Sequence, residues 1–184
     1  MTVIVGLVAD SGRVHLGGDS AGVSGLALQV RADSKVFRNG PFVFGFTTSF
    51  RMGQLLRHSL DPPRPPSRRL SRFMATTFVD AIRECLKAGG WAARNSDREE
   101  GGTFLVGVAG RLFEIADDYQ VGERVDGYAA VGCGADVAHG ALYATADLGM
   151  KPRRRLTVAL AAAERFSAGV RGPYAFVASR AVGH

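Results

Sequence analysis

The stretch Thr2-Val3-Ile4-Val5-Gly6-Leu7-Val8-Ala9 carries almost no polar side chain. A run of that length without alternation predicts a strand covered on both faces. Asp10-Ser11-Gly12 supplies turn chemistry, and the chain returns over 13–20 with Val14 and Leu16 on one face. A third strand is predicted over 28–37 and a fourth over 41–47, joined at the hairpin dipeptide Asn39-Gly40. The period then changes. Ser49 is placed to cap a helix over 50–59 carrying Met52, Leu55 and Leu56. Asp61-Pro62-Pro63-Arg64-Pro65-Pro66 ends it, because proline has no amide to donate and clashes with the preceding turn. A second helix is predicted over 68–88, with Leu70, Phe73, Met74, Phe78, Ile82, Cys85 and Leu86 on one stripe. Polar residues 94–102 read as a loop. Strands follow at 103–109, 111–117 and 127–132, helices at 136–147 and 154–168, and a last strand at 173–180.

Strands, two helices, strands, two helices, strand: this grouping argues against alternating βαβ units and for an α+β protein of antiparallel sheets with helices packed in pairs outside. Two sheets stacked face to face and covered on their outer faces would explain the apolar first strand. With 184 residues, 46% hydrophobic and 22% charged, the chain reads as a single globular domain, 1–184, with a core able to fold unstapled. No apolar run approaches the ~20 residues of a membrane helix, and no signal peptide is read. Cys85 and Cys133 lie far apart in unlike contexts, which suits free thiols in a reducing, cytoplasmic setting.

The net charge of +6 raises nucleic acid as a partner. Nearly all the basic residues are arginine, with lysine only at 35, 87 and 151. The clusters at Arg64–Arg69 and Lys151–Arg155 flank helices and lack interleaved aromatics, so no nucleic-acid partner is assigned. His15, His58, His139 and His184 have no metal-ligand spacing, and Gly132, Gly134 and Gly140 do not make a dinucleotide fingerprint. No cofactor or metal is expected.

The candidate chemistry lies at the start of the chain. A threonine behind the initiator methionine becomes N-terminal if Met1 is removed, which places a hydroxyl and a free amine on one residue. An α-amine with a pKa of about 7.7–8.0 can take the hydroxyl proton near neutral pH. Gly17-Gly18-Asp19-Ser20 ends the second strand, and Lys35 follows sixteen positions after Asp19. Read alone, Asp19 could cap a turn, Lys35 could extend its stem from a strand end, and Gly45 could mark a bulge.

Together these pieces resemble the proteasome β-subunit family and its bacterial ring-peptidase relative, both N-terminal-nucleophile hydrolases. The likeness rests on Thr2 with its apolar strand, Gly17-Gly18-Asp19-Ser20, Ser34-Lys35-Val36-Phe37, Gly45-Phe46-Thr47, Val131-Gly132-Cys133-Gly134-Ala135 and Gly172-Pro173-Tyr174. It implies a four-layer αββα sandwich and peptide-bond hydrolysis by Thr2, acting as nucleophile and, through its amine, as base. The resemblance further implies that Lys35 stands beside that threonine, that Asp19 pairs with Lys35, and that the Gly45 amide donates to the oxyanion. Backbone near Val23 and Thr47 would bind an extended peptide or unfolded protein as an added strand. Cys133 stands where the family usually has serine and reads equally as site support or as a small core thiol. Phe166 and Gly169 stand where many members carry Asp and Ser. A homo-oligomeric ring served by an ATP-dependent unfoldase is implied by the likeness alone. An inactive scaffold of the same fold and an amidase acting on a small amide stay open as alternatives.

Overall fold

A computed structural model describes residues 1–91, 93–95 and 98–180. The first apolar run forms β1 (Val3–Val8), with β2 (Val14–Gly18) antiparallel to it through the turn at 10–12. Both faces of β1 are buried: Val3, Val5 and Leu7 face a helical layer, while Ile4 faces a second sheet. The predicted third strand is divided. A hairpin of β3 (Ala21–Ser24) with the exposed β4 (Ala27–Val30) precedes a break, and β5 (Val36–Asn39) begins after Lys35. Gly25, with φ 56°, turns the hairpin in the left-handed conformation that glycine adopts without strain. β6 (Phe42–Phe46) returns beside β5 through Gly40.

Helix α1 (Phe50–His58) starts where predicted, with Ser49 Oγ accepting from the Arg51 amide. The second predicted helix is α2 (Leu70–Phe73), a wider π turn at Met74–Phe78 and α3 (Val79–Ala88). Within the predicted loop at 94–102, β7 (Ala93–Asn95) and β8 (Arg98–Glu100) pair as a hairpin; residues 96 and 97 lie outside the described residues. Next come β9 (Phe104–Val108), β10 (Arg111–Ile115), a short unforeseen β11 (Val121–Glu123) and β12 (Tyr128–Gly132). Helices α4 (Ala135–Ala144) and α5 (Pro152–Phe166) precede β13 (Ala175–Ala178).

Two antiparallel sheets result, ordered β12-β1-β2-β13 and β11-β10-β9-β6-β5. Ile4, Val14, Leu16, Val43, Leu105 and Leu112 fill the space between them. Phenylalanines of the five-stranded sheet pack under α1–α3, and small residues of the four-stranded sheet pack under α4 and α5. This is a four-layer αββα sandwich, the α+β class that the order of elements implied. Among the described residues no helix is long and apolar enough to cross a membrane.

Candidate active site

Four strand ends from the two sheets converge on one point. Thr2 leads into β1, Asp19 leaves β2, Cys133 leaves β12, and Lys35 enters β5 from the other sheet. The β1–β12 register opposes Val3 to Gly132, where the backbone passes so close that a Cβ would lie 2.3 Å from the Thr2 carbonyl oxygen. Gly132 has φ 101°, so both space and conformation require glycine here.

Thr2, Asp19 and Lys35 are buried with relative exposures of 4%, 1% and 2%. Asp19 Oδ1 accepts from Lys35 Nζ at 2.8 Å and from the Val3 amide at 3.1 Å, and also from the Thr2 hydroxyl. Its Oδ2 accepts from the Ala21 amide at 2.9 Å and the Arg171 amide at 3.3 Å. Lys35 Nζ donates to Thr2 Oγ1 as well. A buried carboxylate is tolerable only when its lone pairs are occupied and a counter-charge is near; both conditions hold for Asp19. Burial pushes the Lys35 ammonium below its ordinary value of 10.5, and the Asp19 carboxylate opposes that shift.

Cys133 completes the surroundings of Thr2. The Thr2 amide donates to Cys133 Sγ at 3.3 Å, and the thiol donates back to the Thr2 carbonyl at 3.3 Å. The Gly134 amide donates to the same carbonyl at 3.4 Å.

Thr2 opens onto a cleft of about 220 Å³ between hairpin β3–β4 and the β6–α1 turn. Val23 lines one wall, and among the described residues β3 has a strand partner on only one side, leaving an edge beside the cleft. Thr47 lines the other wall, but its amide donates to the Thr103 carbonyl at 3.1 Å and its carbonyl accepts from Ser49.

Gly45 departs from the role implied for it. It is mid-strand, opposite Val36 on β5 and Leu105 on β9, and a Cβ there would meet Ile4 at 2.4 Å between the sheets. Phe46 donates to Lys35 on the β5 side and Thr47 to Thr103 on the β9 side. Alternation therefore turns the Gly45 amide toward β9 and into the ladder. Gly45 does not line the cleft; Thr48, Ser49 and Phe50 do. Thr48 holds φ 58°, unusual for a branched residue, and Phe50 opens α1, whose first amides have no partner within the helix. Phe166 is 74% exposed, and Gly169 packs against Met1 and Cys133.

Sequence reasoning missed Arg31 and Phe50, which line the cleft, and the Ala21 and Arg171 amides that hold Asp19. Arg31 lies in the break that divides the predicted third strand, where no periodicity marks it. Phe50 carries a signal only as the first residue after a helix cap.

No protein-family model matches the sequence, and no curated protein matches it. Solved structures do resemble the fold. BPH of Thiobacillus denitrificans in complex with epoxomicin superimposes with a TM-score of 0.81 at 19% identity, over 98% of this chain and 99% of that one. Eukaryotic HslV from Trypanosoma brucei gives 0.71 at 22% identity, covering 96% and 98%. Anbu, an ancestral beta-subunit from Yersinia bercovieri, gives 0.66 at 16% identity, covering 97% and 81%. The chain thus has the fold of the proteasome-like N-terminal-nucleophile hydrolases.

Proposed function

We propose that this one-domain protein is a threonine-type endopeptidase in which Thr2, freed by removal of Met1, attacks peptide bonds. The observation that carries the reading is the buried contact of the Thr2 hydroxyl with both Lys35 and Asp19, at a residue that lines a cleft. The released α-amine takes the Oγ1 proton as the oxygen bonds to the substrate carbonyl carbon. It returns that proton to the amine leaving group as the C–N bond breaks, and water then hydrolyses the acyl ester. Lys35, as a cation, holds negative charge on Oγ1 and lowers the pKa of the neighbouring amine. Asp19 fixes Lys35 and offsets its burial.

The oxyanion role passes from Gly45 to the β6–α1 turn. Amides of Thr48 and Phe50 at the helix N-terminus carry the partial positive charge that a developing alkoxide needs. Losing one such donor costs about 10²–10³ in rate. An extended peptide lies along the open edge of β3 near Val23. The epoxomicin bound in the BPH complex is consistent with a cleft of this kind.

Assembly into a self-compartmentalising homo-oligomeric ring in the cytoplasm, with unfolded protein delivered by an ATP-dependent unfoldase, belongs to the same proposal. Its support within the chain is apolar surface: Leu26, Leu28 and Val30 on hairpin β3–β4 and Tyr143, Leu148 and Phe166 near α4 and α5 are exposed.

Replacing Thr2 by alanine abolishes cleavage of short fluorogenic peptides while leaving folding intact; unchanged turnover would refute the mechanism. One observation favours a second reading, an inactive scaffold. Gly169 leaves room for Met1, whose Cβ would lie 2.3 Å from any side chain there. A chain that keeps Met1 has no free amine at Thr2, and its intact mass would show it.

A further inference from the structure

The cleft carries a second cation that the chemistry of Thr2 does not use. Arg31 lines it, with its guanidinium carbon 3.9 Å from the centroid of the Phe50 ring. Lys35 Nζ lies 5.6 Å from the same centroid and touches Thr2 Oγ1. Both cations therefore stand over one ring, which puts the guanidinium within a substrate side chain's reach of the attacking oxygen.

Arg31 is held from behind. Its Nε donates to Asp33 Oδ1 at 2.7 Å and its Nη2 to Asp33 Oδ2 at 2.8 Å, and Nη1 has no hydrogen-bond acceptor among the described residues. Asp33 does not line the cleft, and its low pKa comes first from Arg31 and in smaller part from the nearby Arg57. Asp33 is thus engaged by Arg31, and Asp19 by Lys35. Two cations line the cleft while their carboxylate partners stand outside it, and no acidic side chain is among the described residues lining the cleft. The stack on Phe50 and the fork on Asp33 fix the guanidinium before any ligand arrives, so little further ordering is needed on binding.

We infer that this cleft selects peptides bearing a carboxylate side chain, Asp or Glu, on the residue whose carbonyl is attacked, and rejects Lys and Arg there. The inference deepens the peptidase reading and rests on the cleft being its peptide site. The carboxylate accepts a charge-assisted hydrogen bond from the free Nη1 edge of Arg31. A basic side chain instead meets Arg31 and Lys35 and finds no carboxylate among the described lining residues to pair with, since Asp33 and Asp19 are engaged outside the cleft.

The test reads binding, so that it does not depend on turnover. The full-length Thr2→Ala protein is titrated with acetylated tripeptide amides differing only in the last residue: Glu, Gln or Lys. Glu should bind about tenfold or more tighter than Gln, as expected for a charged over a neutral hydrogen bond, and Lys weakest. Adding Arg31→Ala or Arg31→Met should bring Glu to the level of Gln while Gln itself changes by no more than about twofold. Arg31→Glu should reverse the order of Glu and Lys.

Equal affinity for Glu and Gln, or an Arg31 variant that weakens all three peptides alike, would overturn the inference and leave Arg31 as a clasp on Asp33. Failure of every peptide to bind would overturn it too. Wild-type turnover is measured in parallel. Its absence with the affinity order intact sinks the peptidase reading alone; its presence without the order sinks the specificity alone.

Discussion

The two outer layers of the sandwich are built from opposite materials. Under α1–α3, rings fill the volume: Phe42 and Phe78 stack at 4.8 Å between centroids, Phe37 and Phe44 at 5.3 Å. Under α4 and α5, Ala130, Ala138, Ala159 and Ala163 accompany Val3 and Val5. A Cβ on Gly134 would already lie 3.0 Å from that of Ala163 and 3.1 Å from that of Val3. The aromatic layer positions its sheet by bulk, the small-residue layer by close backbone approach. The cleft inherits one wall from each side: Phe46 and Phe50 belong to or pack on the aromatic cluster, and Thr2 is gripped by the backbone at Gly132 and Gly134.

That contrast breaks in opposite directions under mutation. Phe44→Ala removes a fully buried ring from the aromatic layer and should cost about 3–5 kcal/mol in chemical denaturation. A loss of under about 1 kcal/mol would mean that this layer is not held by volume. In the other layer the damaging change is an enlargement. Ala163→Leu should cost about 1–3 kcal/mol by overpacking. Because it presses toward Gly134 and Val3, it should also lower turnover per folded molecule, by up to about 10²-fold. Equal stability and turnover would deny the close packing.

Lys35 lies where the two sheets meet, and there pH separates stability from activity. Its folded pKa lies below 10.5, chiefly through burial, so the unfolded chain binds the proton more readily than the native one. Stability therefore rises with pH between the lowered value and 10.5, as the penalty of the buried ammonium is relieved. Activity should move the other way under the proposed mechanism, in which Lys35 acts as a cation, and fall on the alkaline side before pH 10.5. An alkaline limb at or above the ordinary lysine value would contradict this.

The smallest expected effect belongs to the small-residue layer. His139 on α4 accepts from the Ala130 amide at 3.0 Å through Nε2, on the outer strand β12. Burial and then Arg124 hold its pKa below 6.5. As pH falls through 6.5 the unfolded chain protonates first, so stability drops until the folded pKa is passed. His139→Gln keeps an acceptor and should remove that part of the slope at a cost of about 1 kcal/mol or less. His15, lowered mainly by burial, contributes a slope of the same sign that the variant retains.

Much of this is legible in the residues, for identifiable reasons. The unbroken apolar run at 2–9 announces a strand buried on both faces, and the helix at 50–59 is fixed by the Ser49 cap and the prolines beyond. Hairpin β3–β4 escapes because β4 is exposed throughout and carries no buried period. At the site, the spacing of Thr2, Asp19 and Lys35 is visible through family likeness, and these side chains do meet. Gly45 misleads because the direction of an amide depends on ladder register, which pattern cannot count. Arg31 leaves no mark, since its place comes from an ion pair and a ring contact made after the chain has folded.

The most direct test maps where the protein reacts. Incubation with a threonine-directed electrophile, followed by intact mass and peptide mass spectrometry, should show a chain that has lost Met1 and carries one adduct on Thr2, absent from a Lys35→Ala variant that still folds. Peptide cleavage by a chain that retains Met1, or an adduct on Cys133 in place of Thr2, would contradict the account.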